Sequence, residues 1–223
     1  YPGCDLLAQG LLIPYHGITA HLEILINLSR LMNHDKSQNL FIFREAAVND
    51  MIEESMREKD INRGLQRLLA EIGRILEADR VLIFEENPDG TARCTYEWCR
   101  NGIAPAKNEL AEVSSSEVKT LYYQYDDNQI ALIDMDEHHT NKQFAGILGV
   151  YRFLSGHLIN AGKSIGFTGV VNPSMSDIEQ ARPMLAILTR FVASMIRNRD
   201  MMNELMAQSV VDPLTGAGNR RAF

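Results

Sequence analysis

The apolar positions Met184, Leu188, Phe191, Met195, Met202 and Leu205 recur in steps of three and four residues, with Asn198 and Ser209 completing the row. That is the heptad step, and it predicts a helix over 177–211 with a seam for a partner helix. A second row, Leu185, Val192, Ile196 and Met206, widens the apolar face, most fully in the first half. The helix is therefore expected to pack on its own domain first and on a partner further along. Asn198 lies in the seam, where a polar residue lowers stability but can fix register and strand number. A plain amphipathic surface helix is the alternative.

Upstream, the pattern changes period several times. Ile18, Leu22, Leu25, Leu28 and Met32 have helical spacing, and Phe41, Val48 and Ile52 mark a second helix over 41–57. Residues 1–57 thus read as a helical N-terminal segment, the tail of a preceding module. Asp60 has the chemistry of an N-cap, and Ile61, Leu65, Leu68, Ile72 and Ile75 repeat at helical spacing after it. Val81, Leu82, Ile83 and Phe84 form a buried strand within 80–86. Asn87-Pro88-Asp89-Gly90 is a turn. From Thr91 to Arg100 the chain alternates, predicting a hairpin partner with Ala92, Cys94, Tyr96 and Trp98 on one face. Residues 117–125 read as a helix, 129–134 as a strand, 141–150 as a short helix, and 152–159 and 163–172 as strands. On the last, Ile165, Phe167, Gly169 and Val171 share one face, while Gly166, Thr168 and Val170 leave the other open to close packing. The order predicts an α+β fold, an antiparallel sheet with helices on one face and long N- and C-terminal helices.

Composition narrows the function classes. With 223 residues, 45% apolar and 23% charged, the chain is globular. A net charge of −7 disfavours nucleic acid and anionic membrane as partners. No apolar run is long enough to span a bilayer. Three scattered cysteines, Cys4, Cys94 and Cys99, read as cytoplasmic thiols. Cys94 and Cys99 are expected on opposite strand faces, unable to pair.

Two stretches resemble known families. Asp212-Pro213-Leu214-Thr215-Gly216-Ala217-Gly218-Asn219-Arg220-Arg221 resembles the opening of the GGDEF family, the diguanylate cyclases, whose D-x-L-T-G-x-x-N-R-R pattern is met at Asp212, Leu214, Thr215, Gly216, Asn219, Arg220 and Arg221. The family's metal carboxylates and guanine-binding residues lie downstream of Phe223, so the resemblance implies no catalytic residue here and no turnover of GTP by this stretch. Ala78-Asp79-Arg80-Val81-Leu82-Ile83-Phe84-Glu85 and Lys163-Ser164-Ile165-Gly166-Phe167-Thr168-Gly169-Val170-Val171-Asn172-Pro173 look like the first and last strands of a GAF domain, over residues 58 to about 198. The two resemblances divide the chain into an N-terminal segment (1–57), a GAF-like sensory domain (58–176), a signalling helix (177–211) and the start of a truncated GGDEF domain (212–223).

GAF domains bind small molecules between the sheet and the irregular middle segment, or bind nothing and only dimerise. The cyclic-nucleotide subset carries N-K … F-x-x-x-D-E; here Asn141-Lys142 and Phe144 occur, but Leu148-Gly149 fill the final pair. Bilin-binding relatives need a Cys-His pair on a helix, which Cys94 and Cys99 do not offer. His138-His139 beside Asp134, Asp136 and Glu137 could hold a metal, but reads better as a solvated loop tip. His34-Asp35 carries no meaning alone. Candidate ligand-contacting residues are Tyr96, Trp98, Tyr122, His139, Phe144 and His157; His157 reads first as a satisfied sheet histidine and the aromatics as core. No residues have nucleophile–base spacing, so no catalysis, metal or cofactor is assigned. The resulting expectation is a cytoplasmic regulatory module of a bacterial diguanylate cyclase. It would form a parallel homodimer along Leu188, Phe191, Met195, Asn198, Met202 and Leu205 and pass a signal from a small molecule or a conformational change to a downstream GGDEF domain. A ligand-free GAF-fold dimerisation scaffold is the alternative.

Overall fold

The computed structural model describes residues 6–15, 18–27, 41–134, 146–174, 178 and 181–210. The chain divides into two compact units, one of residues 38–193 and one made of 1–37 with 194–223.

The first elements are strands β1 (Leu6–Tyr15) and β2 (Ile18–Asn27), antiparallel from Leu6↔Asn27 to Tyr15↔Ile18. This corrects the helix expected from Ile18, and with it the all-helical reading of residues 1–57. Ile18, Ala20, Leu22, Ile24 and Ile26 also recur every second residue, so the stretch satisfies both periods. Isoleucine favours the strand, and an equally long apolar partner lies two residues upstream, the spacing of a tight hairpin.

Helix α1 (Phe41–Met56) follows as expected, burying Val48, Met51, Ile52 and Ser55. Helix α2 (Ile61–Ile75) begins at Asp60, whose carboxylate accepts the Asn62 N–H at 2.9 Å. Its buried stripe is Gly64, Leu65, Leu68, Leu69, Ile72 and Gly73. The stripe is rotated from the expected row, leaving Ile75 38% exposed. The rotation follows from packing on two sides, because α2 touches both α1 and the sheet.

The sheet comprises β3 (Arg80–Glu86), β4 (Ala92–Cys99), β5 (Ile130–Asp134), β6 (Arg152–Asn160) and β7 (Lys163–Val171) in the order β4-β3-β7-β6-β5. All neighbouring pairs are antiparallel. Between β4 and β5 lies α3 (Ser115–Tyr122), opened by a Ser114–Glu117 capping box and starting two residues before the expected position. Of the helix expected over 141–150, the described part is a single helical turn at 146–148. The last element, α4 (Ala181–Val210), runs 30 residues. Pro183 occupies its first turn, where a missing N–H is tolerated.

The two sheet faces are covered differently. Leu82, Phe84, Ala92, Cys94, Phe153, Phe167 and Val171 meet Ala106, Leu110, Val113, Leu148, Val150 and Val118 of α3. Phe84 and Phe167, opposed across β3 and β7, stack with ring centroids 4.6 Å apart. This is the loop face. The helix face carries α2 and the start of α4, so the long helices share one side, as expected, while short α3 and the turn at 146–148 lie on the other. Small residues do permit close packing there. Thr168 Oγ1 lies 3.2 Å from Thr189 Oγ1 of α4, and a Cβ on Gly156 would fall 2.2 Å from that same oxygen.

Register slips once in β4. Ile83 pairs with Tyr96 but Phe84 pairs with Cys94, leaving Thr95 as the extra residue of a bulge. Ala92 and Cys94 therefore share the loop face, whereas Tyr96 and Trp98 turn to the helix face. This corrects the reading of those four as one row. It also brings Cys94 and Cys99 to the same face, against expectation. Both are free thiols. Burial pushes Cys94 up to about 12 and Cys99 up to about 11, so neither ionises near neutrality.

Along α4, Met184, Leu185, Leu188, Phe191, Val192, Met195 and Ile196 are buried, joined by Ala186, Ile187, Thr189 and Ala193. Farther on, Asn198, Met202 and Leu205 are half-buried, and Met201 and Met206 are 37% and 45% exposed. Among the described residues no helix is long and apolar enough to cross a membrane.

Candidate functional site

Two of the six candidate ligand residues come together at one end of the loop face. Tyr122 closes α3, and His157 alternates with Phe153 and Ser155 along β6. Their ring centroids lie 4.4 Å apart. Tyr125, three residues beyond Tyr122, stacks on the imidazole at 4.9 Å and 6°. A second bulge, between Leu158 and Ile159, leaves Ile165 unpaired on β7, and Ser164 meets His157.

Hydrogen bonds join Glu86, Tyr122, Ser164, His157 and Gln129 into one network, and Tyr125 is tied separately to the sheet. Tyr122 Oη donates to Glu86 Oε2 at 3.0 Å, and Ser164 Oγ donates to Tyr122 Oη at 2.8 Å. His157 Nε2 lies 3.0 Å from Ser164 Oγ, and Nδ1 lies 3.0 Å from Gln129 Oε1. Tyr125 Oη meets Ser155 Oγ at 2.8 Å, and Ser155 donates to the Thr168 carbonyl at 2.7 Å. Burial raises both tyrosine phenols far above their ordinary range. Burial lowers His157, with the Glu86 carboxylate opposing it. The histidine is thus satisfied, as expected, but inside a polar cluster.

The network does bring a serine within reach of a histidine, the spacing of a nucleophile and its base. Its polarity is the reverse of what catalysis requires. The Ser164 proton goes to Tyr122, so the serine accepts from the imidazole instead of donating to it.

Tyr96 and Trp98 lie apart from this cluster, on the helix face. Tyr96 Oη donates to Asn62 Oδ1 of α2 at 2.5 Å. The Trp98 ring fills a notch over Gly73, where a Cβ would fall 2.0 Å from Cζ3. The Thr95 bulge causes both placements. His139 and Phe144 lie outside the described residues, as do Asp136, Glu137 and His138 and the motif Asp212–Arg221. Asp134 of the suspected metal cluster pairs with Arg152 Nε at 2.7 Å. Among the described residues no three His, Cys, Asp or Glu side chains gather as a metal site.

One charged pair escaped the sequence reading. Arg80 and Glu97, with side chains 8% and 5% exposed, form an ion pair at 2.8 Å on the loop face. The Glu97 carboxylate also accepts the backbone N–H groups of Ala106 and Lys107, each at 2.9 Å. It thereby ties the loop after β4 to the sheet. Strict alternation would have placed Glu97 on the helix face. Ser164, Gln129, Tyr125 and Glu86 were missed for a related reason, since only the second bulge and the 126–129 turn assemble them.

No family model matches the chain, and no curated protein does. Solved structures do. The GAF domain of an Acinetobacter phosphoenolpyruvate-protein phosphotransferase is similar at a TM-score of 0.57 and 13% identity, over 73% of this chain and 98% of that one. The phycoerythrobilin-bound GAF domain of a cyanobacterial phytochrome gives 0.55 and 12%, over 73% and 99%. The chromophore-binding domain of a bacteriophytochrome from R. palustris gives 0.52 and 17%, over 85% and 70%. At these identities the likeness is one of fold: the chain has a GAF-like fold.

Proposed function

We propose that this chain is the sensory and relay part of a bacterial diguanylate cyclase, acting in the cytoplasm. One observation carries the reading. Helix α4 begins among buried side chains of the domain and continues unbroken to Val210, two residues before the Asp212–Arg221 stretch that resembles a GGDEF opening. A helix rooted in a core transmits rotation or translation along its axis. The resembled cyclases condense two GTP across two subunits, so a parallel homodimer along the α4 seam would set their geometry. In this reading the GAF-like module spans 58–176, the signalling helix 177–211 and the GGDEF start 212–223. Helix α1, expected in the preceding segment, instead lies with α2 in the compact unit of residues 38–193. The bilin of the phytochrome relatives is not carried over, because Cys94 and Cys99 lack a neighbouring histidine on a helix.

A second reading, a ligand-free dimerisation scaffold, draws on the loop face. Its centre is filled by the protein's own Phe84, Phe153 and Phe167. A panel of metabolites and nucleotides separates the two, since a ligand that binds only the folded state raises the melting temperature. No shift with any member favours the scaffold.

The relay itself is tested in the parent protein by inserting residues after Arg199. Each added residue turns the output by about 100°. One inserted residue is expected to change cyclic di-GMP output severalfold, and seven to restore most of it. Output independent of insertion length would overturn the relay.

A further inference from the structure

Donor counting fixes the polarity of the His157 network. Tyr122 commits its only proton to Glu86, and Ser164 commits its only proton to Tyr122. Ser164 Oγ can then meet Nε2 only as an acceptor, so Nε2 carries a proton in either charge state of the ring. What ionisation changes is Nδ1, 3.0 Å from the Gln129 side chain. A protonated Nδ1 donates to the amide oxygen. A neutral Nδ1 has a lone pair and requires the amide nitrogen in its place. The amide oxygen that the structure places there matches the protonated ring, so the Gln129 amide is a two-position element whose other position the neutral ring selects.

Gln129 also belongs to the turn that meets α4. Its carbonyl accepts the His157 backbone N–H at 2.9 Å, its own N–H donates to the Asp126 carbonyl at 2.9 Å, and its φ is +63°. Asp126 divides its carboxylate between two tasks. Oδ1 accepts the N–H groups of Asn128 and Ile130, while Oδ2 accepts Arg182 Nη1 at 3.0 Å in the first turn of α4.

We infer that His157 is a proton-sensitive latch: ionisation of its ring reorients the Gln129 amide and, through the 126–129 turn, alters the Asp126–Arg182 contact at the root of α4. The groups bearing on the ring are Glu86 at the end of β3 through Tyr122, Tyr122 of α3, Tyr125 after it, Ser164 of β7, and Asp126 behind Gln129. Both tyrosines stay neutral, so Glu86 supplies the charge felt at the ring. Burial holds the ring neutral below the ordinary histidine range, so the latch works on acidification. An unfolded ring takes its proton first, near pH ~6.5. Stability is therefore complete above that value and falls as pH drops toward the lower folded value. What the latch controls rests on α4 being the output helix proposed above; the coupling does not, and its test reads only the coupling.

The test is a pH titration of the full chain by ¹⁵N NMR of histidine and arginine side chains. The expected result is a neutral Nε2–H tautomer for His157, a midpoint below that of an exposed histidine, and Arg182 side-chain resonances that move with the same midpoint. In His157→Gln the Arg182 resonances should stay fixed across that range. A neutral Nδ1–H tautomer, or Arg182 resonances that ignore the His157 midpoint in the unsubstituted protein, would overturn the latch whether or not the variant folds.

Discussion

Glu97→Ala is expected to destabilise the protein by about 3–5 kcal/mol, the effect of stranding one partner of a buried ion pair. The substitution leaves the Arg80 guanidinium charged, with a side chain only 8% exposed, and strips the Ala106 and Lys107 N–H groups of their acceptor. At this chain length the melting temperature should fall on the order of 10 °C, read by circular dichroism. Glu97→Gln keeps an acceptor for the loop and should lose less. Replacing both partners, Arg80→Met with Glu97→Leu, should recover most of the loss, because the pair's own desolvation disappears with it. A Glu97→Ala protein as stable as its parent would mean that the carboxylate is reached by water.

The second large effect is on association. Met202→Glu with Leu205→Glu is expected to weaken the proposed dimer at least tenfold without unfolding the domain. Full burial of such a side chain is worth roughly 1.5–3 kcal/mol. Both residues are already half-buried in the single chain, so a partner can add only part of that at each position. Summed over two chains, the loss still exceeds the 1.4 kcal/mol or so that a tenfold change requires. Asn198→Leu should tighten association while loosening the choice of register. Sedimentation at several concentrations measures both, with circular dichroism as the folding control. A double variant as dimeric as the parent would move the interface to α1 and α2.

The fold was legible where one period dominated. The run Val81-Leu82-Ile83-Phe84 between charged ends marks β3, and Asp60 marks the start of α2, because caps and buried runs are local properties. β2 was misread because its isoleucines and leucines satisfy two periods at once, and only the pairing partner decides. A smaller part of the site was legible in the same sense. Tyr122 and His157 were named, but not their contact with each other, nor Ser164, Gln129 and Glu86. Their meeting depends on a bulge and a turn, which no periodicity announces. Glu97 was hidden in the same way, as a charge whose direction the alternation rule reverses.

Thr95 gives β4 an uneven tolerance to changes of length. It is out of frame, in the sense that the strand alternates regularly on either side of it with opposite phase. Excising it would make Cys94 and Tyr96 neighbours, still opposite Phe84 and Ile83, with every flanking side chain on its present face. Excising Glu97 would hand Trp98 and Cys99 to the wrong sides and undo the ion pair and the fit over Gly73 together. A shortened β4 can therefore keep its pattern if the lost residue is the unpaired one, giving up only the local bend. For this strand, counting residues constrains variation more tightly than choosing them.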